Sequence, residues 1–351
     1  MTAPVERVRV GMIGAGFIAS YHLDGLRASG GADVRMIAGR TPEKTAALAA
    51  RYDIASATSD WREIIARDDI DAVVITTPDE THPEIAIAAA RAGKHILLQK
   101  PMARTAAECR AIIAAVDACG VRLQVSFMHR YFDEVVAARQ LLAEGAIGRT
   151  YSMRMRNATP GPDWGAWFYS RERVGGGVVM QLGVHGIDLL RHLFGDIDAL
   201  SARTALLRTE RTLADGTVVH PDNEDHALAL YRFASGALAS HEMSMSEVAG
   251  CDRFTLEIYG EQGTIWLRSA RGPLAVFAPR HTGTNDWVVP ALPVQVPGAR
   301  QHRHFLDIVR GDVEPDRSDA DGLAGVLVAE AIYRASETGR EQAIGKGGAP
   351  A

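Results

Sequence analysis

The hydrophobic period of the first third of the chain switches repeatedly between short, continuous apolar runs and stretches with helical spacing. This alternation constrains the fold more than any other feature of the 351 residues. Val8-Arg9-Val10-Gly11-Met12-Ile13, Val34 to Ala38, Asp71 to Thr76, His95 to Gln99 and Arg122 to Phe127 read as strands. Between them, one helix is expected from about Ile18 to Ala28, and a second opens at Pro42 behind Thr41, with Glu43 in its first turn. Asp60 with Glu63 marks a third start and Pro83 a fourth, while Thr105 and Glu108 form a capping box ahead of Cys109, Ile112, Ile113 and Val116. Helices where hairpin turns would otherwise stand require crossover connections. The strands are therefore expected to be parallel, in an α/β doubly wound sheet of six strands, five of them the runs above.

After about residue 145 the period becomes two. His226 to Phe233, Ala237 to Met245, Phe254 to Tyr259 and Thr264 to Leu267 are joined by Ala234-Ser235-Gly236 and Gly260-Glu261-Gln262-Gly263, the pattern of an antiparallel sheet. Such a sheet buries one face and leaves the other free, a common route to oligomers. Residues 279–300, with four prolines, read as a loop, and a last helix is expected from about Ala320 to Thr338, ending at Gly339. Two domains follow: 1–126 for a dinucleotide, and 127–351 for substrate binding and self-association.

Gly14-Ala15-Gly16-Phe17-Ile18-Ala19 directly follows the first strand and opens the first helix, in the form G-x-G-x-x-A. The first glycine permits the tight turn, the second clears space for a pyrophosphate, and the small third residue lets helix and strand pack closely. The helix amino end then faces the phosphates. Gly14, Gly16, Phe17 and Ile18 are thus candidate cofactor contacts. An acid ending the second strand would mark NAD, but the sequence there is Ala38-Gly39-Arg40-Thr41, and Asp33 lies at the strand's other end. The Arg40 guanidinium and Thr41 hydroxyl suit a 2′-phosphate, which favours NADP over NAD. Thr41 as a simple helix cap is the plainer alternative.

Lys100 follows the fifth strand in Gly93-Lys94-His95-Ile96-Leu97-Leu98-Gln99-Lys100-Pro101, at the carboxyl end where ligands bind in such sheets. In Gly183-Val184-His185-Gly186-Ile187-Asp188 and the residues before it, Gln181, His185 and Asp188 stand at i, i+4 and i+7, on one helix face. Polar groups there must meet water, a ligand or each other.

With these segments in hand, the chain resembles the glucose-fructose oxidoreductase and inositol dehydrogenase family, Gfo/Idh/MocA, over nearly its whole length. The resemblance rests on Gly14-Ala15-Gly16, Thr76-Thr77-Pro78-Asp79-Glu80-Thr81-His82, Ala92-Gly93-Lys94-His95 through Lys100-Pro101, and Gly183 through Asp188. It implies an amino-terminal Rossmann domain, a carboxy-terminal α+β domain with an open, mostly antiparallel sheet, and dimers or tetramers through that sheet. The implied reaction is hydride transfer between NAD(P) and a carbohydrate, cyclitol or related alcohol. The family usually has Glu-Lys-Pro and an acid four residues before the motif histidine; here Gln99 and Gln181 stand in those places. Lys100 can still act as general acid/base if burial and a nearby nicotinamide cation favour its neutral form. His185 is the alternative proton carrier, and Gln181 with Asp188 would orient the substrate. Thr77, Pro78, His82, Gln99 and Lys100 are expected toward the nicotinamide end. Arg130, Tyr131, Trp164 and Trp167 are further substrate candidates, the tryptophans as stacking faces for a ring or as a plug holding their loop.

Thirty-eight basic against 43 acidic residues, with no block of five like charges, argue against a nucleic-acid or membrane-surface partner and for a small molecule. Met1-Thr2-Ala3-Pro4-Val5-Glu6-Arg7 has no apolar signal core, which points to the cytoplasm. Cys109, Cys119 and Cys251 read as scattered small hydrophobes. His302 with His304, and the cluster from Asp222 to His226, lack the spacing of a metal-ligand set, so no metal is expected. Two other functions compete: a non-catalytic NADP(H)-sensing regulator, and a glycoside-cleaving enzyme that recycles tightly bound NAD internally.

Overall fold

The computed structural model describes residues 7–249, 252–316 and 318–345. The opening residues before Arg7, and Cys251, lie outside that set. In chain order the elements are β1 (Val8–Ile13), α1 (Ala19–Ser29), β2 (Ala32–Ala38), α2 (Pro42–Arg51), β3 (Ser56–Thr58), α3 (Trp61–Ile65), β4 (Ala72–Ile75), α4 (His82–Arg91), β5 (His95–Gln99), α5 (Ala106–Cys119) and β6 (Leu123–Ser126). Then follow α6 (Asp133–Ala143), β7 (Thr150–Ala158), α7 (Arg171–Val174), α8 (Val184–Phe194), β8 (Ile197–Ala205), β9 (Arg211–Thr212), β10 (Val218–Val219), β11 (His226–Phe233), β12 (Leu238–Ser244), β13 (Phe254–Gly260), β14 (Gly263–Ser269) and β15 (Gly272–Phe277). The chain closes with α9 (Pro279–Thr282), α10 (Ala299–Arg310), α11 (Ser318–Thr338) and β16 (Gln342–Ala343).

The chain forms two compact units, Met1–Tyr131 with Gln295–Leu323, and Phe132–Val294 with Ala324–Ala351. Each is assembled from two separate segments, where the sequence suggests a single cut between 126 and 127.

In the first unit, six parallel strands take the order β3-β2-β1-β4-β5-β6. The order reverses direction between β1 and β4, and ligands bind beyond strand carboxyl ends at such a point. The strands are apolar on both faces because helices cover both: all of β4, and β5 from Ile96 onward, is buried. The local signals act as expected at α3 and α5. Asp60 accepts from Arg62 N–H at 3.0 Å, and Thr105 Oγ1 accepts from Glu108 N–H at 3.2 Å. Helix α10, inside the returning segment, begins at the end of the expected 279–300 loop, in a stretch that the sequence reading left unassigned. It packs on α1 and places Phe305 and Leu306 in the core with Val10, Met12, Leu23, Leu26 and Val74. Each such fully buried side chain contributes roughly 1.5–3 kcal/mol.

In the second unit, an eight-stranded sheet runs β15-β14-β13-β7-β12-β11-β8-β16 and is antiparallel except at β7 with β12. β11 alternates buried and exposed along its length, as a sheet covered on one face must. Leu228, Leu230 and Leu238 stand on the uncovered face, 53%, 62% and 56% exposed. The covered face packs against α8. Gly186 is required there because a Cβ would collide with Asn157 Oδ1 and the His241 ring. Among the described residues no helix is long and apolar enough to cross a membrane.

Candidate active site

In the first unit, β1 runs straight into the glycine turn. Gly14 adopts φ +114°, and a Cβ there would stand 2.5 Å from Thr76 Oγ1 and 2.8 Å from the Thr76 backbone, so only glycine fits. Gly14 N–H donates to Ala38 O at 2.8 Å, and Thr76 Oγ1 donates to Gly14 O at 3.0 Å, tying the turn to the ends of β2 and β4 together. A Cβ on Gly16, by contrast, would meet nothing within 4 Å. Ile18 caps α1 without a side-chain hydrogen bond, and the first turn carries no acid. Open space at Gly16, beside a helix amino end that no side chain claims, fits the pyrophosphate of a dinucleotide. Phe17 is exposed beside it.

Arg40 and Thr41 are exposed just after β2. Thr41 does occupy the N-cap position of α2, yet its side chain makes no capping hydrogen bond. Its carbonyl instead accepts from Thr45 N–H at 3.0 Å and from Thr45 Oγ1 at 2.8 Å. The hydroxyl is therefore not committed to the helix.

Beyond β4, Thr81 Oγ1 lies 2.7 Å from both Thr77 Oγ1 and Pro78 O. His82 is fully buried, with Nδ1 3.0 Å from Pro101 O and Nε2 3.0 Å from Thr77 O. It clamps the loop after β4 to the turn after Lys100 and has no surface left to offer a ligand. Lys100 is half-buried at the carboxyl end of β5, and its backbone N–H donates to Gln99 Oε1 at 2.8 Å. Lys94, six residues earlier, shows the contrasting structural lysine: its Nζ donates to Arg67 O at 2.7 Å and Ile70 O at 2.9 Å. Arg130 and Tyr131 are held in a polar cluster. Arg130 pairs with Asp321 at 2.8 Å, and Tyr131 Oη lies 2.5 Å from Gln124 Nε2 and donates to Asp316 at 3.2 Å. Burial alone would raise the Asp316 carboxyl, but hydrogen bonds from His304 and Ser318 and the Arg130 charge hold it well below the usual carboxylate range.

In the second unit Gln181, His185 and Asp188 are all buried. They do not sit on one regular α-helix: Val179–Gly183, which holds Gln181, is a π-turn leading into α8. The wider turn changes the angular step between Gln181 and His185, so simple i, i+4 stacking does not describe them. π-turns of this kind recur at functional sites.

A carboxylate that sequence reasoning missed fixes the entry to this segment. Buried Glu224 accepts from Gly177 N–H at 2.9 Å, Val179 N–H at 3.1 Å and Tyr333 Oη at 2.8 Å. Burial raises its carboxyl, opposed by those donors. Its neighbours also act as splints. Asp222 accepts from Arg171 N–H at 2.6 Å, Asn223 Nδ2 donates to Phe168 O and Gly176 O, and Asp225 pairs with Arg211 at 3.2 Å. The only signal in the sequence was the density of acids from Asp222 to Asp225. Among the described residues no group of three His, Cys, Asp or Glu side chains could hold a metal ion.

The aromatic loop packs on itself. Trp164, Trp167 and Phe168 have ring centroids 4.9 to 5.9 Å apart, leaving Trp164 48% exposed. His22 and His302 were not singled out as a pair by the sequence, yet they join beneath Gln99.

Known proteins are similar to this chain over nearly its whole length. Residues 8–127 match the oxidoreductase family with NAD-binding Rossmann fold, and residues 135–266 match the GFO/IDH/MocA C-terminal domain. Levoglucosan dehydrogenase of Pseudarthrobacter phenanthrenivorans is 32% identical over 95% of this chain and 97% of its own. Inositol 2-dehydrogenase of Rhizobium meliloti is 27% identical, over 96% and 99%. A solved structure of levoglucosan dehydrogenase in complex with NADH and L-sorbose superposes with a TM-score of 0.87 at 31% identity, covering 98% of this chain and 100% of that one. The glycine turn, the Lys100 turn and the π-turn segment thus belong to a chain of the Gfo/Idh/MocA family of oxidoreductases, with its NAD-binding Rossmann domain.

Proposed function

We propose that the protein interconverts a secondary alcohol and a ketone on a sugar, cyclitol or related cyclic polyol, with Lys100 moving the hydroxyl proton. The observation that carries this reading is the placement of Lys100: half-buried at the carboxyl end of β5, its backbone held by Gln99, in the strand next to the β1/β4 switch. The related enzymes named for levoglucosan and inositol support the substrate class. The nicotinamide, when bound, takes or gives the hydride. Gly14, Gly16, Phe17 and Ile18 hold its phosphates, and Thr77, Pro78 and Gln99 bound the far end. Lys100 Nζ accepts the hydroxyl proton on oxidation and returns it on reduction. Gln181, His185 and Asp188 are assigned to orienting the substrate, with His185 as the alternative proton carrier.

The exposed Arg40 and the uncommitted Thr41 hydroxyl, with no carboxylate from Ala38 to Thr41, favour NADP. Self-association into a dimer or tetramer uses the uncovered face bearing Leu228, Leu230 and Leu238. We also place the protein in the cytoplasm, a reading that the exposed Cys119 thiol fits. The test is a cofactor-reduction screen with NAD and NADP against sugars, inositols, uronic acids and aromatic dihydrodiols. Turnover on a cyclic polyol that is lost in Lys100→Met supports the reading; tight cofactor binding without turnover on any of them overturns it.

A further inference from the structure

We infer that His22 and His302 are positioning residues for Lys100: they form a polar relay, fixed in direction at both ends by backbone groups, that holds Gln99 and through it the peptide of Lys100. The inference rests on Lys100 as the proton-moving group, but the relay itself is read from geometry inside the first unit.

The argument starts from a group with no freedom. The Lys100 backbone N–H can only donate, and it donates to Gln99 Oε1 at 2.8 Å. That fixes the amide, so Gln99 Nε2 is the atom that faces His22 Nε2, at 3.4 Å. An amide nitrogen also only donates, so His22 Nε2 is the bare acceptor and the ring proton sits on Nδ1. His22 Nδ1–H then donates to His302 Nε2 at 2.9 Å. His302 in turn carries its proton on Nδ1 and donates to Gly298 O at 2.7 Å, a group that can only accept. Tracing back from the Gly298 carbonyl gives the same assignment. One arrangement of protons satisfies every member, and both imidazoles are neutral in it.

The surroundings agree. Both rings are fully buried, and burial lowers His302 to about 4 and His22 well below its usual value, the second ring adding to the effect on His22. Around the pair stand the Tyr21 ring from α1 and Gln301 from α10, the Tyr21 hydroxyl donating to Gln301 Oε1 at 2.8 Å. Gln301 Nε2 donates to Ser126 Oγ at 2.9 Å, so α10 is stitched to β6 beside the relay. Gly25 on α1 makes room for it, because a Cβ there would collide with the His302 ring. Three elements distant in sequence, α1, β5 and α10, are thus locked by a fully satisfied network, which specifies one geometry where apolar packing would tolerate several. At position 99 a carboxylate of the same shape could only accept. It would need a proton between its second oxygen and His22 Nε2, so Gln99→Glu should draw one proton from solvent into the relay, held on His22 Nε2 as an imidazolium or on the carboxyl as a neutral acid.

The test is a long-range ¹H–¹⁵N correlation spectrum of the labelled full-length protein. Both His22 and His302 should show the Nδ1–H tautomer at pH 7, and in Gln99→Glu either His22 becomes the imidazolium or the new carboxyl is protonated, read from its carboxyl ¹³C shift. An Nε2–H tautomer at either ring of the native protein, or an ionised carboxylate beside a neutral His22 in Gln99→Glu, overturns the relay, whether or not Lys100 proves catalytic. In turnover, His22→Phe should lower kcat roughly tenfold while leaving KM for the cofactor within about threefold, the mark of a displaced reacting group. His22→Gln, whose amide can present an acceptor to Gln99 and a donor to His302, should recover most of that loss. Unchanged kcat in His22→Phe overturns the positioning role.

Discussion

The two units bury polar groups in contrasting ways. In the first, a parallel sheet covered on both faces has a central strand, β4, that is apolar throughout, and His22 and His302 sit in a relay anchored at both ends to backbone groups. In the second, a sheet with one uncovered face has alternating strands, and buried His241 ends on a side chain. Tyr231 Oη donates to His241 Nδ1 at 3.0 Å, and His241 Nε2–H donates to Asn157 Oδ1 at 2.8 Å. Asn157 Nδ2, also buried, has no hydrogen-bond partner among the described residues. Backbone anchors leave one proton arrangement, whereas a side-chain terminus leaves an amide group unsatisfied. The first arrangement suits a group that must be held still, and the second keeps part of its polar capacity unspent.

The largest test of this contrast concerns chemistry. Lys100→Met in the first unit should lower turnover by about 10²- to 10⁴-fold, and His185→Ala in the second by less. Steady-state rates in the reverse order would place the proton transfer in the second unit.

Next come the glycines. Gly177→Ala drives a Cβ into the Glu224 backbone and should cost about 3 kcal/mol or more of stability, read from denaturant unfolding. Gly16→Ala, with open space around it, should leave unfolding unchanged within about 0.5 kcal/mol. It should instead weaken cofactor binding, by calorimetry. Equal unfolding effects would break the distinction between a packed and a ligand-facing glycine.

Acid should act on both units through their histidines. Unfolded imidazoles take up protons near pH 6.5, whereas burial holds His302 at about 4 and His241 at about 3. The unfolded chain thus binds more protons in this range. Stability from these groups is complete above about pH 6.5 and is lost as pH falls toward 4 in the first unit, by on the order of 3 kcal/mol, and toward 3 in the second, by on the order of 5 kcal/mol. Thermal melts between pH 7 and 4 check the slope; a flat profile would mean that the rings are already charged in the folded protein.

The smallest effect is on the outer sheet face. Leu230→Ser should change unfolding by less than about 0.5 kcal/mol, whereas Leu97→Ala, fully buried, should cost about 2–5 kcal/mol. Sedimentation of Leu230→Glu then asks whether that face joins subunits, the expected result being a smaller species.

Legibility in the sequence followed the range of the interactions. β5 from His95 to Gln99 and β11 from His226 to Phe233 were readable to the residue, because period and burial are local properties. The glycine turn was readable because its chemistry lies in consecutive residues. α10 was hidden behind the prolines of 279–300, and its joining the first unit depends on packing against α1, nearly three hundred residues earlier. β7, which lies in the middle of the second sheet, went unread because the inward side chains of its alternation, Met153 and Met155, are neither β-branched nor aromatic. The π-turn left no trace in spacing, and Glu224 and the His22–His302 pair acquire meaning only through partners far along the chain.

The nested order of segments also governs when the protein can become itself during synthesis. Phe305 and Leu306 complete the core of the first unit, and His302 closes its relay, so nearly the whole polypeptide must leave the ribosome before the unit that starts first can finish. Until then an incomplete nucleotide-binding half, its apolar flank still uncovered, has to wait for a late helix to arrive.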